Sequence, residues 1–182
     1  MKPILLKKMV LLVLVFFWAC LSVSAETLEG IVLRVVDGDT LTIQVGNASH
    51  RIRLSEIDTP EIDQRWGEEA KAALVAKVNG AVIKVTVVDT DRYGRKVGKV
   101  WLDERDINRE LVREGHAWVY EDYLFDDSLL EEQAAAIAAN VGLWHLPEAA
   151  APRRWRTRKG WCGTLDFSDD VKDWKAFTDA RK

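Results

Sequence analysis

The sequence predicts a small α+β domain, mainly β: a five-stranded Greek-key barrel of the OB type with three helices attached. Three observations point there. Apolar residues alternate with period two in short runs, a helical period replaces that alternation in three other stretches, and Gly, Asn and Asp punctuate the joins between them.

Residues 29–36 (EGIVLRVV) and 39–45 (DTLTIQV) read as strands joined at Asp37-Gly38, with Leu41, Ile43 and Val45 alternating against Thr42 and Gln44. Asp39 shares the parity of the apolar set, so it is expected to point inward at the mouth of the sheet. Gly46-Asn47 turns the chain into a strand over residues 51–57, where Ile52 and Leu54 alternate with Arg51 and Arg53, and Pro60 ends it. Over residues 64–78 the spacing of Ala70, Ala73, Leu74 and Lys77 is helical, with Glu68 and Glu69 in the first turn and Asn79-Gly80 as the stop. Residues 81–88 (AVIKVTVV) form a strand by β-branched density, and Asp91-Arg92-Tyr93-Gly94 turns it into another over residues 96–102. A short helix runs from near Asp106 to Glu114 and stops at Gly115. Trp118, Tyr120 and Tyr123 make an aromatic segment, and residues 127–140 form the third helix, capped by Asp127 or Ser128.

The ends of the chain differ from this middle. Lys2, Lys7 and Lys8 precede an apolar run from Met9 to Leu21 and the small residues Val23-Ser24-Ala25, the pattern of an export signal over residues 1–25. Cleavage near Ala25 would release the protein to the periplasm or the medium. An uncleaved N-terminal membrane anchor is the alternative, although the apolar run is shorter than the ~20 residues that span a bilayer. The mature chain then has no membrane span, and Cys162 is its only cysteine, so a hydrophobic core rather than a disulfide must hold it together. Its 157 residues suit one globular domain, residues 26–146, with a C-terminal tail over 147–182. Residues 26–146 carry 14 basic and 23 acidic side chains, net −9, whereas 147–182 carry nine and six, net +3. A polyanion would be held by a local basic site or through a bound cation, not by long-range attraction. Five of the seven residues from 153 to 159 are basic, with Trp155 and Trp161 interleaved or adjacent, so this run is a candidate electrostatic handle.

The densest chemistry lies between Val36 and Glu61, where Asp37, Asp39, Arg53, Asp58 and Glu61 share one hairpin and must converge at one end. Carboxylates gather a hard cation, and guanidiniums neutralise the charge that builds on a phosphoryl group. Singly, each acid is a turn or cap residue, and Asp37 is expected to cap the hairpin backbone. His50, His116 and His145 are scattered without ligand spacing and read as surface or packing residues, so zinc is disfavoured. Trp66, Trp101 and Trp144 read as packing residues.

In the ordered set Val36-Asp37-Gly38-Asp39-Thr40, Arg53-Leu54, Asp58-Thr59-Pro60-Glu61, Asp91-Arg92-Tyr93-Gly94-Arg95, Leu111-Val112-Arg113-Glu114-Gly115 and Gly142-Leu143-Trp144, the chain resembles the staphylococcal-nuclease-like, or thermonuclease, family of secreted calcium-dependent nucleases. The resemblance implies that Asp39, Asp58 and the backbone carbonyl of Thr59 hold Ca2+. It implies that Glu61 activates the attacking water, that Arg53 and Arg95 grip the scissile phosphate, and that Tyr93 lines the nucleotide pocket. Tyr120 and Tyr123 are further candidates for base stacking. The expected activity is hydrolysis of DNA and RNA to 3′-phosphate products by a monomer without a stable protein partner. A non-catalytic OB-type module that binds nucleic acid or another partner is the alternative, and retention of both arginines and all three acids favours the enzyme.

Overall fold

A computed structural model of the chain describes residues 26–147 and 149–158. The expected export signal and the part of the C-terminal tail beyond residue 158 lie outside the described residues. In chain order the elements are β1 (Thr27–Val35), β2 (Thr40–Val45), β3 (Ala48–Leu54), β4 (Ile57–Asp58), α1 (Gly67–Val78), β5 (Val82–Thr90), β6 (Lys96–Leu102) and β7 (Arg105–Asp106). There follow α2 (Ile107–Arg113), β8 (Trp118–Val119), α3 (Ser128–Ala138) and α4 (Pro152–Arg158).

Five strands close into a barrel in the order β3-β2-β1-β5-β6, because β3 also pairs in parallel with β6. Closure removes the free edges that a flat sheet of this size would leave. The period-two pattern explains what fills it: Leu41, Ile43, Ile52, Ile83, Val85 and Val100 all face the interior and are fully buried. α1 adds Leu74 and Val78 to the same core, and α2, which packs against both α1 and α3, adds Ile107 and Leu111 beside Leu129 of α3. The three predicted helices are thus present, and α4 adds a fourth. Among the described residues no helix is long and apolar enough to cross a membrane.

Two boundaries move for identifiable reasons. The third strand, expected over residues 51–57, runs Ala48–Leu54, and the chain bends at Glu56, whose backbone is left-handed at φ 64°. Ile57–Asp58 then forms a separate strand that pairs antiparallel with β8, so the aromatic segment becomes a sheet partner of Asp58. The first helix begins at Gly67 instead of residue 64, because Trp66 is left-handed at φ 73° and Gln64 and Gly67 are spent on a tight turn back to Glu61. Of the histidines, His116 accepts a hydrogen bond from the Trp66 indole at 3.2 Å and stacks on it, while His145 meets the same indole edge-on.

A buried amide joins α2 to the barrel floor. Asn108 accepts from the Val100 amide at 3.0 Å and donates to the Ser55 carbonyl at 2.9 Å. Asn108→Ala would orphan both backbone groups in the core, so urea unfolding is expected to show a loss of about 2–4 kcal/mol. A loss below ~0.5 kcal/mol, the level of a neutral surface change, would mean the tie is structurally idle.

Candidate active site

The β2–β3 hairpin brings the first acid to the first guanidinium. Thr40 pairs with Arg53 across the ladder, and the Leu54 amide extends it by donating to the Asp39 carbonyl at 2.8 Å. Asp39, one residue before β2, therefore stands beside Arg53 and is buried, as its parity predicts. Asp37 accepts from the Asp39 amide at 3.1 Å, the turn-capping role read from the sequence. Burial, and then the charge of Asp39, push the Asp37 carboxyl up from 3.8 to about 6. Between them Gly38 packs so closely on α1 that a Cβ would lie 2.7 Å from the Thr59 hydroxyl and 2.9 Å from Ala70. That approach lets Thr59 reach Asp39: its amide and hydroxyl both donate to Asp39 Oδ2 at 2.9 Å.

Arg53 forks between two acids. Its Nη1 lies 3.1 Å from Asp39 Oδ2 and its Nη2 donates to Asp58 Oδ1 at 3.0 Å. Nη1 also donates to the Leu54 carbonyl at 2.8 Å, which fixes the plane of the guanidinium. Asp58 is held in turn by the pairing of β4 with β8. A second guanidinium arrives from α4, where Arg156 Nη2 donates to Asp58 Oδ2 at 2.8 Å and Nη1 to Asp58 Oδ1 at 3.1 Å and Glu61 Oε1 at 2.9 Å. Burial pushes the Asp58 carboxyl up, and the Arg156 and Arg53 guanidiniums pull against that push without cancelling it. For Arg156 burial works against the charge, but its bonds to Asp58 and Glu61 outweigh that effect and raise its pKa further.

Glu61 projects from the tight turn ahead of α1. Gln64 accepts from the Glu61 amide at 3.2 Å, the Gln64 amide donates back to the Glu61 carbonyl at 2.8 Å, and Gly67 packs directly on that carbonyl. Only glycine fits there, because a Cβ would overlap the Glu61 carbonyl oxygen.

Arg95 stands apart from this cluster. Its Nε donates to Asp91 Oδ2 at 2.6 Å, and its guanidinium lies 5.7 Å from the Tyr93 ring centre. Arg53 and Arg95 nevertheless line one cavity of about 610 Å³, together with Tyr93, Tyr120 and Tyr123. Tyr93 and Tyr123 are largely exposed, and Tyr120 meets Tyr123 edge-on at 4.9 Å. The expected site residues thus divide between two neighbouring places: Asp39, Asp58, Thr59 and Glu61 at the acid cluster, Arg95, Tyr93, Tyr120 and Tyr123 on the cavity, and Arg53 at both, while Lys159 and Trp161 of the expected basic handle lie outside the described residues.

Two residues were missed. Glu56 is 3% exposed, and its carboxylate accepts from the amides of Phe125 and Asp126 at 2.9 and 2.8 Å while pairing with Lys99. It pins the aromatic loop to the cavity, yet beside Ser55 in the sequence it looks like an ordinary solvated loop acid. Arg156 was visible as one charge of a basic run, but nothing in that run tells which arginine turns inward.

The donor chemistry suits a hard cation. Three carboxylates, Asp39, Asp58 and Glu61, face two guanidiniums, and all their potential ligand atoms are oxygens. Asp39 and Asp58 are the buried pair, and Arg156 already brings a cation to Asp58. Among the described residues no three His, Cys, Asp or Glu side chains form a ready metal cluster, so backbone oxygen or water would have to complete the shell.

Sequence comparison decides the lineage. Residues 51–146 match the family described as staphylococcal nuclease homologue. The chain belongs to the staphylococcal nuclease family. An "Uncharacterized endonuclease" of Escherichia coli O157:H7 is 38% identical over 150 residues, covering 82% of this chain and 96% of that protein. A protein of Haemophilus influenzae with the same description is 35% identical over 155 residues, covering 84% and 87%. A "Micrococcal nuclease" of Shigella flexneri is 34% identical over 139 residues, covering 70% of this chain and 80% of the relative. Membership gives the chain its nuclease fold, and the closed five-strand barrel with attached helices agrees with it.

Proposed function

We propose that this staphylococcal-nuclease-family protein is an exported, calcium-dependent nuclease that hydrolyses phosphodiester bonds of DNA and RNA with little sequence preference, leaves 3′-phosphate ends and acts as a monomer. The observation that carries the reading is Arg53 held in a fixed plane between Asp39 and Asp58, at 3.1 and 3.0 Å, and lining a cavity of about 610 Å³. A phosphodiester is anionic already and gains charge on its equatorial oxygens as water adds. Guanidiniums fixed beforehand stabilise that gain more than they stabilise the ground state.

In this mechanism Arg53 and Arg95 grip the scissile phosphate. Asp91 takes the Nε edge of Arg95, which leaves the terminal amino groups for phosphate oxygens. Glu61, 39% exposed at its side chain, is accessible to water and accepts the proton of the attacking molecule. Asp39, Asp58 and the Thr59 carbonyl would hold calcium, which when bound polarises a phosphoryl oxygen. Tyr93, Tyr120 and Tyr123 present flat faces to bases, which suits binding without sequence readout. Export is supported by the lysines and apolar run at the N-terminus.

The cation assignment is tested on plasmid DNA. Calcium is expected to support cleavage and magnesium to support little, because magnesium demands octahedral geometry at about 2.0–2.1 Å. Full cleavage in a strong calcium chelator, or cleavage restored by zinc alone, would overturn it.

A further inference from the structure

The segment that carries Arg156 is docked on the domain independently of that residue. Ala149, Ala150 and Pro152 are buried, and Gln64, in the turn behind Glu61, donates to the Ala150 carbonyl at 2.7 Å. Arg153, in the first turn of α4, pairs with Asp122. From these anchors the next turn of α4 delivers Arg156 into the acid cluster.

Its position there is specific. Both Nη atoms fork onto Asp58, a bidentate pairing, and Nη1 also bonds Glu61. With Arg53 on Oδ1 as well, both Asp58 oxygens carry guanidinium bonds. A cation that needs Asp58 and the base Glu61 that must meet water therefore compete with one and the same side chain. Arg156 is also 40% exposed, so it can leave by a side-chain or helix movement without opening the barrel core.

We propose that Arg156 is a built-in counter-ion that occupies the cation's place at Asp58 and screens Glu61, so that α4 gates the nuclease site and withdraws when calcium binds. This rests on the proposed calcium-dependent function. A site closed nine-tenths of the time binds its ligand about tenfold more weakly than an open one. Release of Glu61 and entry of the cation become one event, so this segment acts on the chemistry of the site.

The test is calcium titration calorimetry on the purified protein and on Arg156→Ala, with thermal unfolding to verify that the variant is folded. Arg156→Ala is expected to bind calcium about tenfold more tightly, and Arg156→Lys, which keeps the charge but loses the fork, to fall between. In the wild-type protein calcium is expected to speed amide hydrogen exchange in residues 152–158. Equal or weaker calcium affinity in a folded Arg156→Ala, or exchange in α4 indifferent to calcium, overturns the gate. If the wild-type protein cleaves DNA with calcium while the variant's affinity is unchanged, the gate fails and the nuclease reading stands. If neither protein binds calcium, both fail.

Discussion

Arg53→Lys is expected to lower turnover on DNA by about 10²-fold or more while the protein stays folded. The magnitude is that of losing one preorganised donor to a developing oxyanion. Arg53 bridges Asp39 and Asp58 and bonds the Leu54 carbonyl through a planar fork, so it cannot swing when phosphate arrives. A lysine keeps the charge that the two buried acids require, but as a point donor on a flexible stem it cannot hold two oxygens in one plane. The loss should therefore appear in kcat, with an unchanged Tm within a few degrees. Arg95→Lys is expected to behave alike, with the added loss of the Asp91 and Tyr93 contacts. A normal rate for either variant would refute the phosphate grip.

Glu61→Gln is expected to cost on the order of 10²–10⁴ in kcat, the range of a general base, with nucleotide affinity retained. The amide preserves the shape and can still accept from Arg156 Nη1, so the turn held by Gln64 and Gly67 has no reason to collapse. The negative charge that pairs with Arg156 is removed, and with it the ability to take a proton from water. Competitive binding of a nucleoside 3′,5′-bisphosphate separates the two effects: weakened binding with normal kcat would make Glu61 a binding residue instead.

The barrel was legible because its strands are half-buried, and Leu41, Ile43, Ile52 and Leu54 cannot alternate inward without fixing which residues face the mouth. The same parity placed Asp39 inside. Helix ends followed from Asp106, which accepts from the Arg109 amide at 3.0 Å as an N-cap, and from Gly115 at φ 72°. What stayed hidden depends on contacts between distant segments. The pairing of β4 with β8 spans two residues on each side, too short for any period to register. Glu56 is buried only because the chain reverses at its left-handed backbone, and Arg156 differs from Arg153 and Arg154 only in the direction that α4 turns it. Local sequence carries no trace of either.

In the proposed mechanism two guanidiniums and a carboxylate direct water at a phosphodiester so that the 5′-oxygen leaves. The most direct test of this mechanism is the chemistry of the product ends. A 5′-labelled single-stranded oligonucleotide digested with calcium should give fragments whose gel mobility falls when a phosphatase that removes 3′-phosphate is added, under conditions that spare the 5′ label. Fragments unaffected by that treatment, carrying 3′-hydroxyl ends, or an uncut oligonucleotide with folded, calcium-supplied protein, would overturn the proposed mechanism.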